Sequence, residues 1–306
     1  MSELSDDPSG NCSASTPKSV RPGFKNDHTI GAVTPPTGFA AIGVAPIGFA
    51  PVRLGSLDLE QYLSDPNRKQ QFVTPMFDVI APRYDAFTRL FSFAMDARWK
   101  REALDAALGA SRATAMTRAL DLACGTGDFA LALAAELPTL SVTGVDASPR
   151  MIDGAEQRLR LNTGHEAVSG RITFQVGDMM SLAAADSCAD LVTAGYGVRN
   201  VPDATVAVRE MARVLKRGGT LVTLDFYRPE FSVWRKLLLG YLTIAGNVVG
   251  WWWHRDPVVY GYISRSIDHF MSWQAFSALL EREGFAVNRV VRHLGGGIAV
   301  HVATRR

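Results

Sequence analysis

Cysteine is scarce in this chain: 306 residues hold 3, at Cys12, Cys124 and Cys188, far apart and in no Cys-x-x-Cys spacing. A disulfide framework and a thiolate zinc site are both disfavoured, no metal is expected, and a reducing compartment fits. An excess of either charge is missing too, since 32 Lys and Arg face 30 Asp and Glu for a net +2. The signs are interspersed, so the chain offers no field for nucleic acid, and its small basic clusters read as solvated faces. A run long enough to span a bilayer is also lacking. The longest uncharged stretch, 237–253, falls short of one and is broken by Gly240, Gly246, Asn247 and Gly250. The opening Met1-Ser-Glu-Leu-Ser-Asp-Asp7 is acidic, which fits neither the basic-then-apolar layout of a secretory signal nor an Arg-rich transit peptide. A cytoplasmic location is the expectation.

What is present divides in two. Residues 1–55 are rich in Pro, Gly, Ser and Ala and keep no helical or strand period, so a poorly ordered extension is expected. Its apolar stretch 39–49 carries Gly43, Pro46 and Gly48, which forbid a long helix. Residues 56–306 read as one domain, with enough apolar content for a single large core. Apolar residues at three- and four-residue spacing predict helices at 70–80, 84–93 and 96–108.

The stretch on which this domain is organised is Ala119-Leu-Asp-Leu-Ala-Cys-Gly-Thr-Gly-Asp128. It predicts a buried strand ending near Ala123, a tight turn at Gly125-Thr126-Gly127, and a helix over 128–137. Without a Cβ, such a turn takes positive φ and lets the backbone approach a nucleotide closely. From Gly125 to Ala130 the pattern is also G-x-G-x-x-A, so the loop alone suits a nicotinamide cofactor nearly as well as a methyl donor. Further strands are expected at 140–146, 171–178, 189–195 and 220–225. Ser148 and Pro149 supply the N-cap and first turn of a helix to Leu161. Another helix is expected after Pro202, with Lys216 and Arg217 in its last turn before Gly218-Gly219.

Alternating strand and helix with short links means parallel strands and right-handed crossovers. Asp146, Asp178 and Asp225 fall at strand ends, with Asp121 near the end of the first, on the edge where such sheets bind ligands. A Trp-rich helical insert over about 230–268 follows, then a helix at 273–283. Two last strands, 285–293 and 298–304, meet across Leu294-Gly-Gly-Gly297 as an antiparallel hairpin. The expected fold is therefore α/β: a doubly wound, seven-stranded, Rossmann-like methyltransferase sheet, mostly parallel, with N-terminal helices and a helical lid insert. A six-stranded dinucleotide sheet would not end in that hairpin.

Five stretches together resemble the ubiquinone/menaquinone biosynthesis C-methyltransferases. They are Phe77-Asp-Val-Ile-Ala-Pro-Arg-Tyr-Asp85 with Trp99-Lys100; Leu120-Asp-Leu-Ala-Cys-Gly-Thr-Gly-Asp128; Gly197-Val-Arg-Asn-Val-Pro-Asp203; Glu210-Met-Ala-Arg-Val-Leu-Lys216 with Gly218-Gly219; and Gly297-Ile-Ala-Val-His301. The second and fourth occur in many methyltransferases, whereas the first, third and last are much more particular. The likeness runs from about Arg68 onward.

The resemblance implies S-adenosylmethionine as methyl donor. Asp146, about 20 residues past the glycine turn, would accept both ribose hydroxyls; a helix-capping role before Ser148 is the plainer alternative. Gly125 and Gly127 would line the donor and the Thr126 hydroxyl would reach its methionine end. Asp178 matches the position that contacts the adenine, with Met179 packing on the ring. Asp121 would hold the ammonium through water, or simply satisfy loop amides. The implied acceptor is a polyprenyl quinol methylated on a ring carbon, which must be made electron-rich by removing a hydroxyl proton. Arg199 and Asn200 are the expected catalytic residues, Arg199 as phenolate-stabilising cation, with Tyr84 and His301 behind them. A salt bridge from Arg199 to a carboxylate such as Asp203 is the competing reading. The insert's tryptophans, Trp234 and Trp251 to Trp253, suit a prenyl channel and a peripheral contact with the inner face of the membrane, and a homodimer is compatible. Gly195, Asn247, Ser264-Arg265 and Ala94 depart from the family pattern. Another lipophilic or phenolic acceptor, a nicotinamide-dependent oxidoreductase, and a noncatalytic scaffold are the competing functions.

Overall fold

The structure, a computed structural model, describes residues 66–81, 88, 92, 95–113, 116–161, 168–254 and 258–306. The expected extension 1–55, the expected helix over 84–93 (apart from residues 88 and 92), Tyr84 and Ala94 lie outside the described residues, as do the side chains of Trp251, Trp252 and Trp253. Helices α1 (Pro66–Ile80) and α2 (Met95–Ala113) precede β1 (Arg118–Leu122), α3 (Asp128–Glu136), β2 (Ser141–Asp146), α4 (Pro149–Leu161), β3 (Ile172–Val176) and β4 (Ala189–Gly195). A 3-10 turn (Val198–Asn200) leads to α5 (Ala204–Val214), β5 (Leu215–Phe226), α6 (Ser232–His254), α7 (Val258–His269), α8 (Trp273–Arg282), β6 (Phe285–His293) and β7 (Ile298–Arg305).

The strands form one sheet in the order β3-β2-β1-β4-β5-β7-β6. Strands β1 to β5 run parallel, and β7 lies antiparallel between β5 and β6, as the hairpin required. Successive side chains along a strand point to opposite faces, and both faces are apolar. On one face Leu120, Leu122, Val192 and Leu221 pack against α5 and α8 residues such as Met211 and Phe276. On the other, Ala119, Leu191, Val222 and Leu224 meet α2 and α3 through Leu104, Leu131 and Leu133. Each fully buried leucine of this kind contributes about 1.5–3 kcal/mol. The order reverses between β1 and β4, so the adjoining loops diverge and open a crevice beyond the strand ends.

One boundary differs from the sequence expectation. Helix α5 stops at Val214, and Leu215 is already extended (φ −73°, ψ 142°). Lys216 and Arg217 belong to β5, in an irregularity where Ala189 pairs with Leu215 and Leu191 with Thr220. Burial decides it: Leu215 is fully enclosed, and Lys216 Nζ reaches Asp190 Oδ1 at 2.7 Å. Basic residues before a Gly pair mimic a helix stop, but here Gly218, at φ +78°, turns a strand bulge.

Candidate active site

The loop after β1 is built to bring backbone to a ligand. Ala123, Gly125 and Gly127 all take positive φ (50°, 54° and 86°). At Gly127 a Cβ would lie 2.9 Å from the Phe174 ring, so this position admits only glycine without rearrangement. At Gly125 a Cβ would meet nothing within 4 Å, and the loop faces open space there. Its outer side is tied down. Arg158 Nη1 donates to the Thr126 hydroxyl at 2.9 Å and to Asp128 Oδ1 at 2.6 Å, and Lys100 Nζ donates to Asp128 Oδ2 at 2.7 Å.

The strand-end carboxylates take different parts. Asp146 Oδ2 accepts the Gly125 amide at 2.8 Å and Oδ1 accepts the Ser148 amide at 2.9 Å, so one carboxylate spans two loops and keeps lone pairs toward the cleft. Burial pushes its pKa up. Ser148 N-caps α4 through the Met151 amide at 3.2 Å and donates its hydroxyl to Asp78 of α1. Asp178 Oδ1 accepts the Met180 amide at 2.8 Å. Asp121 is enclosed: Oδ1 accepts the Thr193 hydroxyl at 2.7 Å and Oδ2 the Ala130 amide at 3.1 Å, and burial raises its carboxyl to about 7. Asp121 and Thr193 share the second sheet face with Ala119 and Leu191, which is why they meet.

A cleft, partly open to solvent, lies over these strand ends. Gly125, Asp146, Asp178 and Met179 line it, as do Gly195, Asn200 and Val201. Asp121, Thr126, Gly127 and Arg199 are not among its lining residues. Its outer wall, which sequence reasoning did not anticipate, is α1: Gln70, Val73, Thr74 and Phe77 face inward, at the spacing of one helical face. That spacing was visible in the sequence.

The turn after β4 is held from several sides. Arg199, only 6% exposed, directs Nη1 to Asp225 Oδ1 at 2.8 Å and to the Tyr196 carbonyl at 3.0 Å, while its own amide donates to Asp225 Oδ2 at 3.0 Å. Its partner is therefore Asp225; Asp203 instead caps α5 through the Thr205 and Val206 amides. The guanidinium also sits 5.1 Å above the Phe226 ring. Asn200 donates to the Tyr196 carbonyl at 2.8 Å and accepts from the Tyr262 hydroxyl of α7 at 3.0 Å. Lys69 of α1 donates to the carbonyls of Arg199 and Val201 at 2.7 and 2.8 Å.

His301 is inside the core, its Nδ1 3.3 Å from the Tyr227 hydroxyl and its Nε2 3.0 Å from Ser277 Oγ. Desolvation lowers its pKa from 6.5 to about 4. The unfolded chain thus takes up this proton below about 6.5 while the folded one resists until about 4. The contribution is full above pH 6.5 and drains away as pH falls to 4, about 3 kcal/mol in all. Denaturant titrations at pH 7.5 and 4.5 are expected to show that loss, and His301→Gln is expected to show a smaller one.

Gly195, a departure from the family pattern, has a steric reason. A Cβ there would fall 2.5 Å from Phe129 Cε2, and Phe129 is buried. Overpacking of this kind costs about 1–3 kcal/mol. Gly195→Ala is expected to lower the melting temperature, whereas Gly195→Ala combined with Phe129→Leu is expected to melt no lower than Phe129→Leu alone.

The residues present fit a ribose-bearing donor. Gly125 leaves room at the loop, the Asp146 oxygens offer acceptors for a diol, and Met179 supplies a polarisable apolar surface.

A family model described as the ubiE/COQ5 methyltransferase family matches residues 65–305. A ubiquinone/menaquinone biosynthesis C-methyltransferase UbiE from Geotalea daltonii is 36% identical over 218 residues, covering 71% of this chain and 89% of that protein. A demethylmenaquinone methyltransferase from Listeria monocytogenes is 30% identical over 239 residues, covering 78% and 97%. Among solved structures, an O-methyltransferase family protein from Burkholderia thailandensis aligns with TM-score 0.51 at 17% identity, over 79% of this chain and 63% of that one. The [4+2]-cyclase SpnF aligns at TM-score 0.50 and 21% identity, over 77% and 96%. These two likenesses show the fold alone, and a cyclase among them shows that the fold does not fix the chemistry.

Proposed function

This chain belongs to the ubiE/COQ5 methyltransferase family and is a methyltransferase of quinone biosynthesis; from that premise we propose that it methylates a ring carbon of a polyprenyl quinol of the demethylmenaquinol type. The observation that carries this reading is the make-up of one cleft. Asp146, Asp178 and Met179 line its donor side, and the Asn200-Val201 turn and the inward face of α1 line the rest.

S-adenosylmethionine supplies an electrophilic methyl group on a sulfonium. Asp146 would take the ribose diol while Asp178 and Met179 would frame the adenine. Asp121 and Thr126 act from behind the cleft, fixing the loop that Gly125 and Gly127 shape. On the acceptor side, a quinol hydroxyl resembles a phenol of pKa about 10, so presenting it as phenolate at pH 7 costs about 4 kcal/mol. Asn200 faces the acceptor, its side chain fixed by Tyr196 and Tyr262. Arg199 acts one layer back, orienting the turn through its pair with Asp225. Tyr84 keeps its proposed part in deprotonation from the family motif.

The acceptor's prenyl tail keeps it in a bilayer, and α6 offers a face suited to that setting. Val233, Leu237, Tyr241, Ile244 and Val248 are 38–68% exposed and fall on one side of the helix. The helix contains no acidic residue, and Lys236 borders the stripe. No described helix is long and apolar enough to cross a membrane, so this reading has the protein resting on the bilayer by α6.

Purified protein, S-adenosylmethionine and a short-tailed demethylmenaquinol are expected to yield a quinol heavier by one methylene in mass spectrometry. A methylated product with other phenols but none with the quinol would sink the proposed acceptor.

A further inference from the structure

We propose that Lys69 is a positioning residue for methyl transfer, holding the 198–201 turn against α1 and supplying the net positive charge beneath the acceptor. The inference rests on the quinol reading above and concerns a residue outside every motif quoted earlier. The ammonium donates to the carbonyls of Arg199 and Val201 at 2.7 and 2.8 Å, which bracket Asn200. The neighbouring residue Gln70, with Val73, Thr74 and Phe77, lines the same cleft from α1. One side chain therefore fixes the distance between the cleft's outer wall and its acceptor-side turn.

Arg199 and Asp225 form a buried pair, 7% and 0% exposed at their side chains, and a paired cation and anion sum to zero. Lys69 adds one positive charge to that pair, and among the described residues no carboxylate is in salt-bridge contact with it. The charged or titratable groups around it are Arg199 of the turn, Asp225 of β5 and, through Asn200, Tyr262 of α7. At the far end of its own helix Asp78 is engaged with Ser148. An anion forming on a quinol above this turn would meet a net +1 that the Arg199–Asp225 pair alone does not provide, and that attraction grows as the proton leaves. Burial and the nearby Arg199 lower the Lys69 ammonium from 10.5 to about 8, so the charge is present at pH 7 and fades above 8.

Lys69→Met keeps the stem and removes the charge; Lys69→Arg keeps the charge. The measurements are turnover of a short-tailed soluble quinol from pH 6.5 to 9.5, affinity for S-adenosylhomocysteine by calorimetry, and melting temperature. Lys69→Met is expected to lose at least tenfold in kcat at pH 7, with donor affinity within about threefold of wild type. Lys69→Arg is expected to recover most of the rate. The wild-type advantage over Lys69→Met is expected to shrink above pH 8, whereas that of Lys69→Arg persists. The proposal is overturned by a fully active Lys69→Met, by a kcat loss matched by lost donor affinity or stability, or by a wild-type to Met ratio that ignores pH. Wild type inactive on the quinol but active on another phenol would instead overturn the acceptor reading, and this proposal with it.

Discussion

Arg199→Ala is expected to lose about 3–5 kcal/mol of folding stability, because it leaves a buried carboxylate without its cation. Asp225 is fully buried, and among the described residues its oxygens, without the guanidinium, keep only the Arg199 and Phe226 amides, at 3.0 and 2.8 Å. The cation stacked over Phe226 disappears as well. Urea denaturation measures this directly. Lost activity in Arg199→Ala would therefore say little about chemistry by itself. Arg199→Met combined with Asp225→Asn separates the two effects, since it removes both charges of the pair together, while the one carboxamide oxygen keeps one of the two backbone bonds. The double variant is expected to be at least about 1 kcal/mol more stable than the sum of the single losses, as contacting residues are not additive. If that folded double variant turned over quinol normally, Arg199 would have no part in catalysis. If Arg199→Ala melted like wild type, the buried pair would not be what holds the turn.

Asp146→Ala is expected to weaken S-adenosylhomocysteine binding by about tenfold to a hundredfold, from the loss of charge-assisted bonds of about 1.5–3 kcal/mol. The carboxylate has two tasks. It would take the ribose hydroxyls, and it already accepts the Gly125 and Ser148 amides, which keep the glycine loop in register with the start of α4. Asp146→Asn, retaining one acceptor oxygen, is expected to fall between the two. Calorimetry reads the affinity, and a melt without ligand shows whether the loop has come loose. Unchanged affinity in Asp146→Ala would remove it from the donor site.

Most of the sheet was legible because strand signals here are redundant. The segment 189–195 is mostly apolar between Asp190 and Gly195, with Thr193 as its one polar residue there, and β4 occupies those residues. Local grammar failed at Lys216, where a basic pair before Gly218-Gly219 imitates a helix end and only tertiary burial of Leu215 reveals a strand. Within the site, position was readable and orientation was not. Asp146 and Asn200 could be placed on the ligand edge from strand ends, and both line the cleft. The direction in which Thr126 or Arg199 turns depends on Arg158 and Asp225, which lie 32 and 26 residues away. His301 stood in a family motif, yet its ring is committed to Tyr227 and Ser277. The wall formed by α1 was legible as a helical face, but no local pattern tells which cavity a helix will cover.

The placing of β7 also has a consequence for how the protein is made. The first five strands are synthesised in a block and pair in parallel, but β5 takes β7 as its second neighbour, from Thr220↔Thr304 to Phe226↔Ile298. Until those residues emerge from the ribosome, the nascent chain presents a long, apolar strand edge with unpaired amides and carbonyls. Such edges recruit other chains, and closing them late slows folding, because the loop must close before the contact rewards it. Newly made protein is thus expected to be most prone to aggregate until β7 has emerged and paired with β5, and a chaperone that shields strand edges would act on it in that interval.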